Sequence, residues 1–158
     1  MRMFRFAVLS LFAALLFAPL PAAAVPATGL ADAAVPTDVR IEPAALAALL
    51  KGPDPKPLIL QVGFGVLYDE AHITGAQYAG PTGKDDGIQN LVTHVDKLPR
   101  DRFIVIYCGC CPWIHCPNIG AAFTKLHEMG FTNVKVLYLP QNFGDDWVSK
   151  GYPVEHGS

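Results

Sequence analysis

Outside one short stretch this 158-residue chain has no cysteine, and charged residues make up only 16% of it. The first absence excludes a small fold stapled by scattered disulfides. No basic run occurs and the formal net charge is −2, so nothing suits nucleic acid or an anionic membrane surface. No second long apolar run follows the amino-terminal one, which excludes a bundle of membrane-crossing helices. Internal repeats and low-complexity tracts are also missing, so solenoid and linker architectures drop out.

The amino terminus carries the pattern of a secretory signal. Arg2 and Arg5 precede an apolar run over residues 6–18, and Ala22-Ala23-Ala24 supplies a small-residue cleavage site. That run is shorter than the roughly 20 residues a bilayer span needs. The expectation is a signal peptide over residues 1–24 and an exported protein, periplasmic or secreted, with no membrane contact after cleavage. An uncleaved anchor is the alternative. Residues 25–38, rich in Ala, Pro and Thr without an apolar period, read as a flexible lead-in. Residues 39–156 then make one domain with a core of its own.

All four cysteines fall within Cys108-Gly109-Cys110-Cys111-Pro112-Trp113-Ile114-His115-Cys116. The apolar run 103–107 precedes them and a helical pattern follows. Cysteines gathered between a strand and a helix indicate a site, because the helix aims unpaired N–H groups and its positive dipole end at the loop. That field favours a thiolate, the form that attacks sulfur and binds soft metals.

Elsewhere the pattern alternates. Pro43 suits the first turn of a helix with Leu46, Leu49 and Leu50 on one face and Gly52 past its end. Residues 58–62 form a short apolar run typical of a buried strand, and Gly63 and Gly65 break it. Asp86 is the expected cap of a helix carrying Ile88, Leu91, Val92, Val95 and Leu98. Asn118 is the expected cap of another, with Ile119, Ala122, Phe123, Leu126 and Met129 on its face and Gly130 as terminator. Residues 134–139 form one more buried strand, and 145–150 a short last helix carrying Trp147. Short strands apolar on both faces, alternating with helices, predict an α/β fold with a mainly parallel sheet. Ligands of such sheets collect beyond the strands' carboxyl ends, where the cysteine loop lies.

Three segments together resemble the rhodanese family, over nearly all of residues 40–155. Tyr68-Asp69-Glu70-Ala71-His72-Ile73-Thr74-Gly75-Ala76 is similar to the family's Gly-His-Ile-Pro-Gly-Ala signature, departing at Ala71 and Thr74. The strand 103–107 followed by Cys108 resembles its strand and nucleophilic cysteine. Residues 128–134 and 147–154, ending Gly151-Tyr152-Pro153-Val154, are similar to its closing helix, strand and tryptophan segment. The resemblance implies a rhodanese-like three-layer fold with a central five-stranded, mainly parallel sheet flanked by helices. It also implies a sulfurtransferase, in which Cys108 takes sulfane sulfur from a small donor and passes it to a thiol acceptor, with a redox protein as a possible partner. Two departures stand out: the loop has no arginine or lysine, and Gln61-Val62-Gly63 replaces the family's frequent Asp-Val-Arg. A dianion such as thiosulfate would then rest on N–H dipoles alone.

Cys108 is the candidate nucleophile, expected to ionise at the helix start. For Cys110, Cys111 and Cys116 three readings stay open. They relay or resolve sulfur held on Cys108, or they form a structural disulfide. Neighbouring Cα atoms lie only about 3.8 Å apart, which strains a bond between Cys110 and Cys111 and favours Cys111–Cys116 or Cys108–Cys116. In the third reading Cys108, Cys110, Cys111, Cys116 and His115 bind a soft metal, copper or zinc. No cofactor is expected under thiol chemistry. That metal reading belongs to a different function, a non-catalytic rhodanese-fold module that binds the metal or a protein partner. Gly109, Pro112, Trp113, Ile114 and His115 complete the candidate substrate-binding loop. Trp113 either shields the sulfurs or plugs the helix end. His115 reads as a solvated loop residue, His72 as structural, and His94 and His127 as helix-surface residues. Asp69 and Glu70 read as solvated, and Asp145 and Asp146 as carboxylates at a helix start.

Overall fold

The computed structural model describes residues 29–157. The expected signal peptide, residues 1–24, lies outside them. In chain order the elements are α1 (Leu30–Ala34), β1 (Arg40–Ile41), α2 (Pro43–Lys51), β2 (Leu58–Gln61), α3 (Gly65–Glu70), β3 (His72–Ile73) and β4 (Gln77–Tyr78). There follow α4 (Asp85–Val95), β5 (Ile104–Tyr107), α5 (Pro117–Glu128), β6 (Val134–Leu137), α6 (Phe143–Asp146) and β7 (Val154–Glu155). Short 3-10 turns occupy Thr37–Val39, Trp113–His115 and Val148–Lys150.

Strands β1, β6, β5, β2 and β4 form, in that order, a five-stranded sheet in which every neighbouring pair is parallel. Strands β3 and β7 pair antiparallel in a separate ribbon. The architecture is the expected α/β one.

The two-residue period of a strand sorts the core into two layers. From β5, Ile104 and Ile106 pack with Leu91 and Val95 of α4 and with Ile119, Ala122 and Leu126 of α5. Val105 and Tyr107 pack on the other face with Leu46 and Ala47 of α2, Ile73 and Trp147. Each such large apolar side chain, fully buried, contributes about 1.5–3 kcal/mol. Cys108 continues the parity of Ile104 and Ile106, and so belongs to the α5 side.

Several local expectations shift. Helix α5 begins at Pro117 with Cys116 in the cap position, whereas Asn118 was the expected cap. Proline suits the first helical position because it has no N–H to leave unpaired, and Asn118 turns inward instead. Helix α4 begins one residue before Asp86, whose carboxylate accepts from the Gly87 N–H. Helix α3 was not foreseen, because its six residues carry too short a pattern to outweigh Gly63 and Gly65. Asn142 caps α6 by accepting from the Asp145 N–H at 2.9 Å.

The lead-in expected over residues 25–38 is corrected where it is described. Residues 29–38 hold α1 and a 3-10 turn, with Ala31 and Val35 fully buried. The reason is small-residue packing: a Cβ on Gly120 of α5 would lie 3.0 Å from the Ala34 Cβ, so α1 settles closely on α5. Alanines need no amphipathic stripe to pack that way.

Candidate functional site

Cys108 directly follows β5 and is 3% exposed. Gly63, just past β2, makes room for it, since a Cβ there would stand 2.9 Å from the Cys108 Sγ. The buried Gln61 fixes the surrounding backbone: its Nε2 donates to the Cys108 carbonyl at 3.5 Å, and its Oε1 accepts from the Gly63 N–H at 3.2 Å. Asn118 holds the sulfurs themselves. Its Nδ2 donates to the Cys108 Sγ at 3.3 Å and lies 3.7 Å from the Cys110 Sγ. Its Oδ1 accepts from the Gly83 N–H at 2.8 Å and its carbonyl from the Thr82 hydroxyl at 2.7 Å, which orients the buried amide.

The chain then doubles back. Gly109 adopts φ +74°, and a Cβ on it would meet the Phe143 Cβ at 2.5 Å; its carbonyl accepts from the Phe143 N–H at 3.1 Å. This turn brings the Cys110 Sγ to 3.1 Å from that of Cys108, and Cys111 to 3.2 Å from Cys110. The sulfurs of Cys108, Cys110 and Cys116 lie within 4.8 Å of one another. No disulfide joins any of the four cysteines in this structure. These three are the residues that could hold a soft ion such as Cu(I). Cys111 falls outside the trio, and His115 is exposed and outside it too.

The rest of the loop divides by direction. Gly109 and Pro112 line an open cleft of ≈ 580 Å³ in front of Cys108, Cys110 and Cys111. Leu67 and Glu70 of α3, Gly144 of α6 and His156 form its walls, and among the described residues its lining holds no lysine or arginine. Trp113 does not line the cleft. It is buried on the other side of the loop, where Nε1 donates to the Asp32 carboxylate at 2.7 Å. The Arg40 guanidinium lies 4.8 Å from its ring centroid and pairs with Asp32 at 2.8 Å, and Tyr138 packs edge-on at 5.0 Å. Trp113 is therefore the loop's anchor to the amino-terminal segment. Ile114 points outward. His72 is buried, stacks on Tyr68 and hydrogen-bonds to the Tyr68 carbonyl at 2.8 Å, a structural role.

The ionisation pattern departs from expectation. Cys116 caps α5, and its thiol is lowered from 9.0 to about 4 by hydrogen bonds from Cys108 and Cys110 and from the Ile119 N–H. Cys108 is pushed well up, by its hydrogen bonds to Cys110 and Cys116 and by burial. Cys110 is also raised: the hydrogen bond from Cys108 lowers it, but that with Cys116 and burial outweigh this. Burial, then Cys110, lifts Cys111 to about 11. The thiolate expected on Cys108 is thus favoured on Cys116 instead, chiefly by the neighbouring sulfurs of Cys108 and Cys110 and only secondarily by the Ile119 N–H.

Sequence reasoning missed Asn118 as a sulfur ligand, Gln61 as a brace and Asp32 as the partner of Trp113. Asn118 beside a proline carries the signal of a cap, and Asp32 lies in a stretch without period. An asparagine two residues after the last cysteine was the one available clue.

No family model matches the chain. Solved structures do match. The rhodanese-like domain of the Alr3790 protein from Anabaena superposes with TM-score 0.56 at 24% identity, over 75% of this chain and 79% of that one. The BH2092 protein from Bacillus halodurans gives TM-score 0.57 at 21% identity, over 74% and 76%. The fold is rhodanese-like. The same rhodanese-like fold aligns with part of an anaerobic ergothioneine biosynthesis enzyme from Chlorobium limicola, solved with trimethyl histidine. There the TM-score is 0.56 at 23% identity, over 75% of this chain and 28% of that one. Among curated proteins, 81 residues are 31% identical to a tRNA (guanine-N(7)-)-methyltransferase from Paracidovorax citrulli, over 51% of this chain. The chain spans 22% of that protein's length. Within the rhodanese-like frame, Cys108 stands at the carboxyl end of the central strand, and Gly63 rather than a cationic side chain stands beside it.

Proposed function

We propose that this rhodanese-like protein handles sulfane sulfur, carrying it as a persulfide on Cys108. One observation carries the reading: Cys108 sits at the floor of a roomy cleft, beyond the carboxyl end of the middle strand, with two further sulfurs within 4.8 Å. In the loading step Cys108–SH and a donor R–S–SH give Cys108–S–SH and R–SH. Cys108 attacks the outer sulfur of the donor as its thiolate, giving its proton to solvent in the cleft, and the departing R–S⁻ takes up a proton in turn. The Asn118 amide, 3.3 Å from the Cys108 sulfur, steadies the sulfur that gains charge.

The cleft favours some donors over others. With Glu70 in its wall and, among the described residues, no lysine or arginine in its lining, a dianion such as thiosulfate finds no guanidinium or ammonium partner. A neutral or zwitterionic persulfide fits better, with a thiol or a redox protein as acceptor. The amino-terminal signal pattern supports an exported setting for this chemistry.

The test is intact mass. The reduced protein, exposed to cysteine hydropersulfide and trapped early with an alkylating agent, is expected to gain one sulfur, and Cys108→Ser none. Equal sulfur uptake by Cys108→Ser would refute the assignment.

A further inference from the structure

The sulfurs gathered beyond β5 have a use that does not depend on sulfur transfer. We propose that Cys108, Cys110 and Cys116 bind one Cu(I) ion in three-coordinate geometry, with the Asn118 amide bracing the sulfurs. Binding changes no oxidation state: the thiol protons that the ion displaces leave to solvent, and copper–sulfur bonds take their place.

The distances suit one ion. A thiolate bond to a soft first-row ion is about 2.3 Å long, so three sulfurs around such an ion stand about 4 Å apart. Those of Cys108 and Cys110 are 3.1 Å apart, and no pair in the trio exceeds 4.8 Å. Shifts of about 1 Å or less therefore complete the triangle. A void of ≈ 10 Å³ beside Cys108 and Cys116, walled by Trp113, Ile119, Leu137 and Leu139, gives the side chains space to make them. Among the described residues, no side chain lining that void carries an oxygen, which suits a soft ion over a hard one. Cys110, partly exposed where it lines the open cleft, provides the way in.

The donor count selects Cu(I) over Zn(II). Structural zinc takes four ligands in a tetrahedron. Here Cys111 lies outside the trio, and His115 is exposed and outside it too. Asn118, only 2% exposed, is turned the wrong way to serve as a ligand. Its Oδ1 accepts from the Gly83 N–H at 2.8 Å, which leaves Nδ2 facing the Cys108 Sγ at 3.3 Å and the Cys110 Sγ at 3.7 Å. An N–H group cannot bind a cation, but it steadies the thiolates that do, as partners outside the ligand shell commonly do. Three soft sulfurs without a fourth donor make a site for Cu(I).

The full chain, reduced and kept free of oxygen, is titrated with Cu(I) against a chromophoric chelator and then measured by X-ray absorption. One ion per chain is expected, with three sulfur neighbours at about 2.3 Å. Cys110 should be shielded from iodoacetamide by the ion while Cys111 still reacts. Cys110→Ser and Cys116→Ser are each expected to weaken binding about tenfold or more, Asn118→Ala about tenfold, and Cys111→Ser not at all. The wild-type absorption spectrum decides the geometry even where a variant folds poorly. Failure to hold copper against the chelator, a site of two sulfurs or of four ligands, or wild-type affinity in Cys116→Ser overturns the proposal. None of these touches the persulfide reading, which is tested by sulfur gain in the metal-free protein. Conversely, a metal-free protein that gains no sulfur yet binds copper through three sulfurs overturns that reading and upholds this one.

Discussion

Removing the Asp32 carboxylate is expected to loosen the cysteine loop from a distance in sequence. The Asp32 carboxylate takes the Trp113 Nε1–H at 2.7 Å and the Arg40 guanidinium at 2.8 Å. Asp32→Ala leaves a buried indole N–H unpaired, at a cost of about 1–3 kcal/mol. The lost ion pair, with side chains 16% and 32% exposed, adds at most about 1 kcal/mol. Arg40 is then held by the Val35 carbonyl and the rings of Trp113 and Tyr138, and its Nε has no partner to begin with. The sum is a loss of about 1–4 kcal/mol for Asp32→Ala. Asp32→Asn keeps an acceptor for the indole and is expected to lose about 1 kcal/mol or less. Equilibrium urea unfolding followed by tryptophan emission measures both. Trp113→Phe removes the donor, so a double-mutant cycle with Asp32→Ala should return a coupling of about 1–2 kcal/mol. Alkylation of Cys116 under native conditions should quicken in Asp32→Ala as the loop lifts. Equal losses below about 0.5 kcal/mol in both Asp32 variants, or no coupling, would refute the anchoring argument.

Two further outcomes follow from the site. The Cys116 thiol is depressed from 9.0 to about 4, so between those values the unfolded chain binds more protons than the folded one. Its stabilising contribution is full above the higher value, shrinks as pH falls, and is gone below the lower. Cys108, raised when folded, acts in the opposite sense and opposes it only in alkali. Urea midpoints should therefore climb more steeply from about pH 5 to about pH 8 in wild type than in Cys116→Ser, and identical slopes would contradict the assignment of the thiolate. Gly63→Ala places a methyl 2.9 Å from the Cys108 Sγ. It should cost about 1–3 kcal/mol through overpacking and slow sulfur uptake by Cys108, as read by intact mass; uptake at the wild-type rate would show that the sulfur does not rest against Gly63.

The sheet was legible because its central strands are continuous apolar runs bounded by breakers. Residues 58–62 and 103–107 were expected as strands and differ from β2 and β5 by one residue each. The face of α5 was legible for the same reason, since Ile119, Ala122, Phe123 and Leu126 recur at helical spacing and are buried. The candidate site was legible as a place, because packing alone gives no reason to gather four cysteines at a strand–helix junction. Its electrostatics were not. Helix α5 starts from a cap at Cys116 instead of Asn118, and the close approach of the sulfurs, which sequence spacing does not reveal, favours the thiolate on Cys116 instead of Cys108. Nor could composition reveal that Asp32 and Trp113 meet across 81 positions, since their contact depends on how α1 lies upon α5.

Gly29 lies so close to Ile114 that a methyl on it would touch that residue's backbone, while His156 lines the wall of the cleft. Residues 29 and 156 thus flank the cysteine loop from opposite sides. A fluorophore placed at residue 156 would report on the reaction mouth, and one at residue 29 on the loop's outer anchor.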